Sequence, residues 1–376
     1  MPEDRSNATG TVWVFGSLNA DTSYRMHALP HPGETVLAHS AQTSPGGKGA
    51  NQAIASAAAG APTRMIGLVG DDTEAETLLG ALSARGVDTS RIARRPGTPT
   101  GRAVVAVDDR AENAIIVLAG ANELLDAATV GASLRGIGAE DVLVLQNEVP
   151  AAANRAAATF ARAAGATVVW NAAPAPATAA DIVGDIDLLV VNEHELAQLA
   201  ALLGVGDRDS GDGGDGDIDG VGGTGARDAQ AGSGGLESLL RRTAKALAAA
   251  AFAPPPGHPR IPAAVCTLGS DGAVYVGASD TDSTATGTGT GDDTSAPDAD
   301  SGRVASPRVL AVDTTAAGDT VVGYLAAHSH LPLGERLLLA GAAGAVTVTR
   351  TGASSSIPTL AEAELMLART TERTPV

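Results

Sequence analysis

Aromatic side chains are nearly missing from this chain, which has three Phe, three Tyr and two Trp in 376 residues. A core built without them has to be filled by Ala, Val and Leu, small groups that let neighbouring elements approach closely. The single cysteine, Cys266, excludes an internal disulfide framework and fits a reducing compartment. No stretch approaches the roughly 20 consecutive apolar residues of a membrane span. The opening MPEDRSNATG also lacks an apolar run of secretory length. The expectation is a soluble, cytoplasmic protein with no membrane partner. Basic residues are scarce too, 25 Lys and Arg against 43 Asp and Glu, which argues against nucleic acid as a partner.

That charge deficit is local. Between Gly206 and Gln230 seven Asp face only Arg208 and Arg227, and between Asp280 and Arg303 six Asp face Arg303 alone, so the two tracts carry −10 of the formal −18. Residues 204–235 and 279–302 are Gly, Asp, Ser and Thr with almost no large apolar side chains. They cannot offset the entropy of ordering and are predicted to be disordered acidic insertions. The remainder, about 11–370, is apolar enough for one large or two modest cores.

Chemistry concentrates in Ala311 to Thr320, AVDTTAAGDT, followed by the apolar run Val321 to Ala327. Ala316, Ala317 and Gly318 stand where a loop turns into a helix, so the first amides of that helix are unobstructed and attract an anion. Asp319 lies in the same first turn. Beside a bound anion, its charge makes sense as a base that takes a proton from an attacking hydroxyl. Amide donors for developing charge, with a base beside the acceptor, are what phosphoryl transfer needs. Taken alone, the same residues also read as an ordinary helix start with an acidic first turn.

Other stretches add polar groups at strand ends. Val12 to Phe15 reads as a buried strand delivering Gly16-Ser17-Leu18-Asn19-Ala20-Asp21 at its C-terminal edge, where ligands gather in open α/β sheets. Ser44 to Asn51, SPGGKGAN, lacks the Ser or Thr that must follow the Lys of a Walker loop. Its glycines still allow close backbone approach, with Lys48 supplying charge and Asn51 in the first turn of a helix ended by Gly60. Arg64 to Val69 is read as a strand, Thr73 to Arg85 as a capped helix, and Val87 to Ser90 as a turn. Thr100 to Val107 and Ala114 to Leu118 flank a polar turn, as a hairpin would. Val142 to Leu145 is a strand that leads to Glu148. Asn192 and Glu195, three apart at a helix start, suit a hydrated divalent cation or a plain capping box. Thr267-Leu268-Gly269-Ser270-Asp271-Gly272 is a glycine turn able to take a nucleotide or simply to close a hairpin. Leu333 to Thr349 is a long apolar helix running into Arg350 to Ser356.

Together GSLNAD, PGGKGANQA, VGDD, AGAN, NEVP, NAAPAPA, VNEHE, TLGSDG, VDTTAAGDT and TRTGASSSIP resemble, in order and spacing, the ribokinase-like members of the phosphofructokinase B carbohydrate kinase family. The resemblance covers nearly all of Val12 to Ala368 outside the acidic tracts. It implies an α/β, three-layer sandwich with a small β-sheet lid drawn from about 21–44 and 102–118. It implies an ATP-dependent kinase that phosphorylates ribose at O5. Asn19, Asp21, Gly47, Lys48, Asn51 and Glu148 would hold the sugar, with Asp319 as base and the amides of Ala316 to Asp319 as anion hole. Asn192, Gly318 and Thr267 to Gly272 would line ATP, and Asn192 and Glu195 would organise Mg2+ indirectly. Activation by K+ is implied, with ligands at Asp313, Thr315, Thr347, Arg350, Gly352 and Ser356, and so is a homodimer formed through the lid. Two departures bear on the sugar: Arg102, a long cation expected near the pocket, and Val321-Val322 after the GDT. The same fold acting on deoxyribose, fructose or adenosine, or a non-catalytic sugar or nucleotide sensor, are the alternatives.

Overall fold

Within the computed structural model, the described residues are 10–110, 112–206, 233–250, 260–280 and 301–371. In chain order the first strands are β1 (Val12–Phe15), β2 (Asn19–Met26), β3 (Ala38–Gly46), β4 (Thr63–Val69), β5 (Val87–Arg94), β6 (Gly101–Val107) and β7 (Asn113–Leu118). Then come β8 (Val142–Gln146), β9 (Thr167–Asn171), β10 (Leu188–Asn192), β11 (Arg260–Ile261), β12 (Ala263–Thr267), β13 (Ala273–Val276), β14 (Ser279–Asp280) and β15 (Ser301–Val304). The helices are α1 (Lys48–Ala58), α2 (Thr73–Ala84), α3 (Val130–Ser133), α4 (Ala151–Ala163) and α5 (Glu193–Leu202). They continue with α6 (Ser233–Ala250), α7 (Ala317–Ala327), α8 (Leu333–Thr347) and α9 (Leu360–Thr371).

Nine strands form one sheet in the order β15-β13-β12-β10-β9-β8-β1-β4-β5. From β12 to β5 every pairing is parallel, while β13 and β15 run antiparallel at one edge. A parallel sheet must be covered on both faces, and alternation along β1 shows how. Val12 and Val14 enter a core shared with α1, α2, α7 and α8, whereas Trp13 and Phe15 enter a second core shared with α4, α5 and α6. The outcome is three layers, helix, sheet, helix. The shortage of aromatics is visible in the packing of α1 on α7, where a Cβ built on Gly323 would lie 2.4 Å from the Ala55 Cβ.

A second sheet, β3-β2-β6-β7, stands at the C-terminal edge of the large one. It comprises the segments from which a lid was expected, with β2 and β6 parallel and the β6–β7 hairpin antiparallel. Most of both acidic tracts lies outside the described residues. At their edges the ordered elements reach further than composition indicated: 233–235 open α6, and 279–280 and 301–302 are strand. Val87 to Ser90 is also not a turn but the start of β5, an edge strand whose polar residues face solvent on one side. Its signal was masked because an edge strand need not be apolar. Among the described residues no helix is long and apolar enough to cross a membrane.

Candidate active site

The C-terminal ends of β9, β10 and β12 meet the N-terminal ends of α1, α5 and α7 around a cavity of about 240 Å³. Lys48, Asn171, Asn192, Glu195, Thr267, Thr314, Ala316, Gly318, Asp319 and Val322 are among the residues that line it.

Helix α7 begins at this cavity. Its N-cap, Ala316, has φ 61° and is the one non-glycine among the described residues with positive φ. An Ala held in the left-handed region costs about 1–2 kcal/mol, and such strain tends to persist where the surroundings impose it for function. The Ala317 amide turns back to the Thr314 carbonyl over a long 3.3 Å, and the Thr320 amide bonds to the Ala316 carbonyl. The Gly318 and Asp319 amides belong to the first turn and have no intrahelical acceptor. A Cβ added at Gly318 would meet nothing within 4 Å, so the helix end is open to a ligand.

Asp319 is buried at the head of α7. Its Oδ2 accepts from Asn51 Nδ2 at 3.0 Å and its Oδ1 from Gln52 Nε2 at 2.9 Å. Gln52 also donates to Asn171 Oδ1 at 3.0 Å, and Asn171 donates to the Val190 carbonyl. Two neighbouring amides on α1 thus fix the carboxylate's orientation, and the end of β9 fixes one of those amides.

The opposite wall comes from β1, β2, α1 and the end of β8. Asn19 Oδ1 accepts from Asn122 Nδ2 at 2.8 Å, while Asn122 Oδ1 accepts from the Leu18 amide at 3.0 Å. Glu148 Oε2 accepts from Ser17 Oγ at 2.6 Å and from the Lys48 amide at 3.0 Å. Asp21 follows Asn19 on the same face of β2, and its Oδ1 is buried with no hydrogen-bond partner. Burial and the charge of Glu148 push its pKa up to about 7, although the Gly47 amide pulls it back and Asp319 adds a smaller upward push. Glycines make room for this wall. A Cβ on Gly46 would sit 1.9 Å from Asp21 Oδ2, and one on Gly101 would sit 2.2 Å from Asn19 Oδ1.

Lys48, at the start of α1, lies between the two walls. Burial alone would lower its pKa, but Asp319, Glu148 and Glu195 outweigh that and hold it above the usual lysine value. Asn192 and Glu195 form the capping box of α5: the Glu195 amide donates to Asn192 Oδ1 at 2.8 Å and the Asn192 amide to Glu195 Oε2 at 2.9 Å. The box does not remove them from the cavity, which both line. Burial raises the Glu195 pKa against the pull of the Asn192 amide and Lys48. Thr267 is paired with Asn192 across β10 and β12. Leu268 to Gly272 then form a tight turn, with positive φ at Gly269 and Gly272 and a Leu268 amide bond to the Gly272 carbonyl.

Beside the helix end, Asp313 joins two loops. Its Oδ1 accepts from the Thr315 amide at 2.9 Å and its Oδ2 from the Gly352 amide at 3.0 Å. Burial works upward on its pKa, but these bonds and the charge of Arg25 hold it below the ordinary carboxylate value. Thr347 Oγ1 is turned into the helix packing, against the Ala343 carbonyl and Thr320 Oγ1. Ser356 Oγ donates to the Ala353 carbonyl, and Arg350 pairs with Glu362.

Arg102 is not at the pocket. In parallel register Asn19 pairs with Gly101 and Ala20 with Arg102, so alternation sends Arg102 to the face opposite Asn19 and Asp21. There it meets Glu74 at 2.8 Å. Val322 does line the cavity. The sequence reading did not single out Ser17, Gln52, Asn122 and Asn171, although all four fall inside motifs it quoted. Their role is to hold other side chains, which spacing does not reveal.

An open helix end that carries an oriented carboxylate into a cleft lined by amide, carboxylate and lysine side chains suits a phosphotransferase that acts on an alcohol, here a sugar hydroxyl. The sequence model of the pfkB family carbohydrate kinases matches residues 10–212 and 236–360. The chain belongs to that family. It is 32% identical over 362 residues to a ribokinase of Schizosaccharomyces pombe, covering 94% of this chain and 96% of that protein. It is similar to the structure of Arabidopsis thaliana ribokinase complexed with ribose and ATP, with TM-score 0.70, 25% identity, and 96% and 99% of the two chains covered. Ribokinase from Cryptococcus neoformans var. grubii in complex with ADP gives TM-score 0.71, 26% identity, and the same 96% and 99% coverage.

Proposed function

We propose that this protein is an ATP-dependent ribose kinase that transfers the γ-phosphoryl group to O5. The observation that carries the reading is the placement of Asp319, aimed by Asn51 and Gln52 into the cleft that holds both the open end of α7 and Lys48. Asn19, Asp21, Gly47, Lys48, Asn51 and Glu148 hold the pentose hydroxyls. The unpaired Oδ1 of Asp21 is an acceptor for one of them. Asp319 takes the O5 proton as the loose transition state forms, and the Gly318 and Asp319 amides hold the charge on the travelling group. Asn192, Gly318 and the turn from Thr267 to Gly272 take the nucleotide. Relatives solved with ribose and ATP, or with ADP, support this reading.

The oxygen-rich setting of Asn192 and Glu195 fits Mg2+ held through water beside the phosphates, where the ion would neutralise charge on the β and γ oxygens. Asp313 ties the loop at Thr315 to the loop at Gly352; with Thr315, Thr347, Arg350, Gly352 and Ser356, several through backbone carbonyls, it would supply a donor set suited to a hard monovalent cation such as K+. The small sheet acts as the lid that excludes water. We further place the protein in the cytoplasm, as a homodimer formed through that sheet.

A coupled kinase assay across ribose, deoxyribose, fructose and adenosine, with and without K+, tests the reading. Ribose is expected to give the highest kcat/KM and K+ to raise it. Equal or better turnover of adenosine would overturn the substrate assignment.

A further inference from the structure

Far from the cleft, at the other end of β2 from Asn19, three chain segments bring metal-ligating side chains together. His27 directly follows β2. His39 lies in β3 where the register slips, because Arg25 pairs with Ser40 and Met26 with Ala38, which leaves His39 as the extra residue of a bulge. A bulge of this kind re-aims a side chain. Asp109 lies in the turn between β6 and β7. That turn is fixed by its buried neighbour Asp108, whose Oδ1 accepts from the Arg110 amide at 2.8 Å and the Glu112 amide at 3.0 Å. Asp109 is left pointing outward. Its Oδ2 lies 2.8 Å from His27 Nδ1 and its Oδ1 3.8 Å from His39 Nε2, with the two imidazole centroids 5.4 Å apart.

We propose that His27, His39 and Asp109 form a binding site for one divalent transition-metal ion of the zinc type. Their ligand atoms all lie within 4.8 Å of one another. A tetrahedral zinc with bonds of about 2.0–2.2 Å needs its ligand atoms about 3.3–3.5 Å apart, a change that exposed side chains make by small torsions. Two imidazoles and a carboxylate select zinc, cobalt, nickel or copper over magnesium and calcium, which prefer all-oxygen cages. The ion takes the position between His27 Nδ1 and Asp109 now spanned by their hydrogen bond, the proton of that bond passing to solvent, and water fills its remaining positions. Because the ligands come from β2, the β3 bulge and the β6–β7 turn, the ion staples three segments of the small sheet at the end remote from the sugar wall.

Titration calorimetry with Zn2+, and the visible spectrum of added Co2+, test this on the full, tag-free chain. One zinc per chain and a Co2+ spectrum typical of nitrogen and oxygen ligands are expected. Affinity should fall by more than about tenfold in His39→Ala and in Asp109→Asn, since even outer partners of a ligand are worth that much. It should be unchanged in His194→Ala, an exposed histidine on α5. Asp109→Asn keeps the side chain's size and so guards against misfolding, and neither variant should alter turnover with Mg2+ and ATP alone. No saturable zinc uptake, or equal uptake by wild type and both variants, would overturn the proposal and leave an ordinary surface ion pair.

Discussion

Asp319, the proposed base, shows how much of a carboxylate's orientation is decided by its neighbours. Both of its oxygens are already used by amide donors, Asn51 on one side and Gln52 on the other. Asp319→Asn would therefore remove the base and also set a third amide against two donors, one of them held in place by Asn171. We expect kcat to fall by about 10³–10⁴-fold, the weight of a positioned base, with a smaller change in KM. Undiminished turnover would remove Asp319 from the mechanism. Asp21 makes a different prediction. Its pKa of about 7 lies above the ordinary 3.8, so the free enzyme carries a neutral carboxyl below about pH 7 and the hydroxyl-accepting carboxylate above it. Plots of kcat/KM for ribose should rise with pH through about 7, and Asp21→Asn should abolish that limb and raise KM. Loss of a hydrogen bond to a charged group, ~1.5–3 kcal/mol, is about 10- to 150-fold. By the same linkage, Asp21's contribution to folding stability is fully present below the unfolded value near 3.8 and is lost as pH rises through about 7. At this scale the sequence disclosed polar groups that the fold gathers around Lys48 and Asp319, because Asp, Asn and Lys recur at strand ends and helix starts. It did not disclose Ser17, Gln52, Asn122 and Asn171, whose contacts reach across distant parts of the chain.

Alternation along a strand settles what happens to Arg102. Sequence distance placed it beside Gly101, at the sugar wall; the two-residue period of β6 places it behind that wall, with Glu74 at the start of α2. Arg102→Ala should change KM for ribose by no more than about twofold, because an exposed pair of this kind contributes little. A large change in KM or in sugar preference would mean that Arg102 reaches the pocket when the lid closes. The same comparison of local signal with tertiary demand explains which elements were readable. Buried parallel strands such as β1 and β8 are short apolar runs bounded by polar loops, and α7 and α8 are long and apolar, so they stand out. The polar edge strand β5 does not, since only one side of it is packed. At α5 the capping-box reading of Asn192 and Glu195 holds, and the same pair of residues lines the cavity.

Across the whole molecule, the layer plan was legible only through the resemblance to a known kinase family, and the sheet order was not legible, because β1 finds its neighbours β4 and β8 through contacts far apart in sequence. The small sheet poses the last question at this scale. Registers place Thr22 beside Val104 and Val104 beside Ile116, with Leu118 beside Arg102, so these side chains share the face turned away from Asn19 and Asp21. Ile116 is 72% exposed, Leu118 52% and Val104 39%, an apolar strip on the face opposite Asn19 and Asp21. On the homodimer proposed above, a second copy of the same sheet would bury such a strip self-complementarily about a two-fold axis. Light scattering after size exclusion should give a mass twice the chain's 37.1 kDa. Ile116→Glu should halve it, because a carboxylate buried at a symmetric interface meets its own copy. The same substitution should raise KM for ribose more than it lowers kcat, since it frees the lid without touching Asp319. A wild-type chain that runs as a monomer at assay concentrations would remove the homodimer from the functional reading and leave the chemistry of the cleft as it stands.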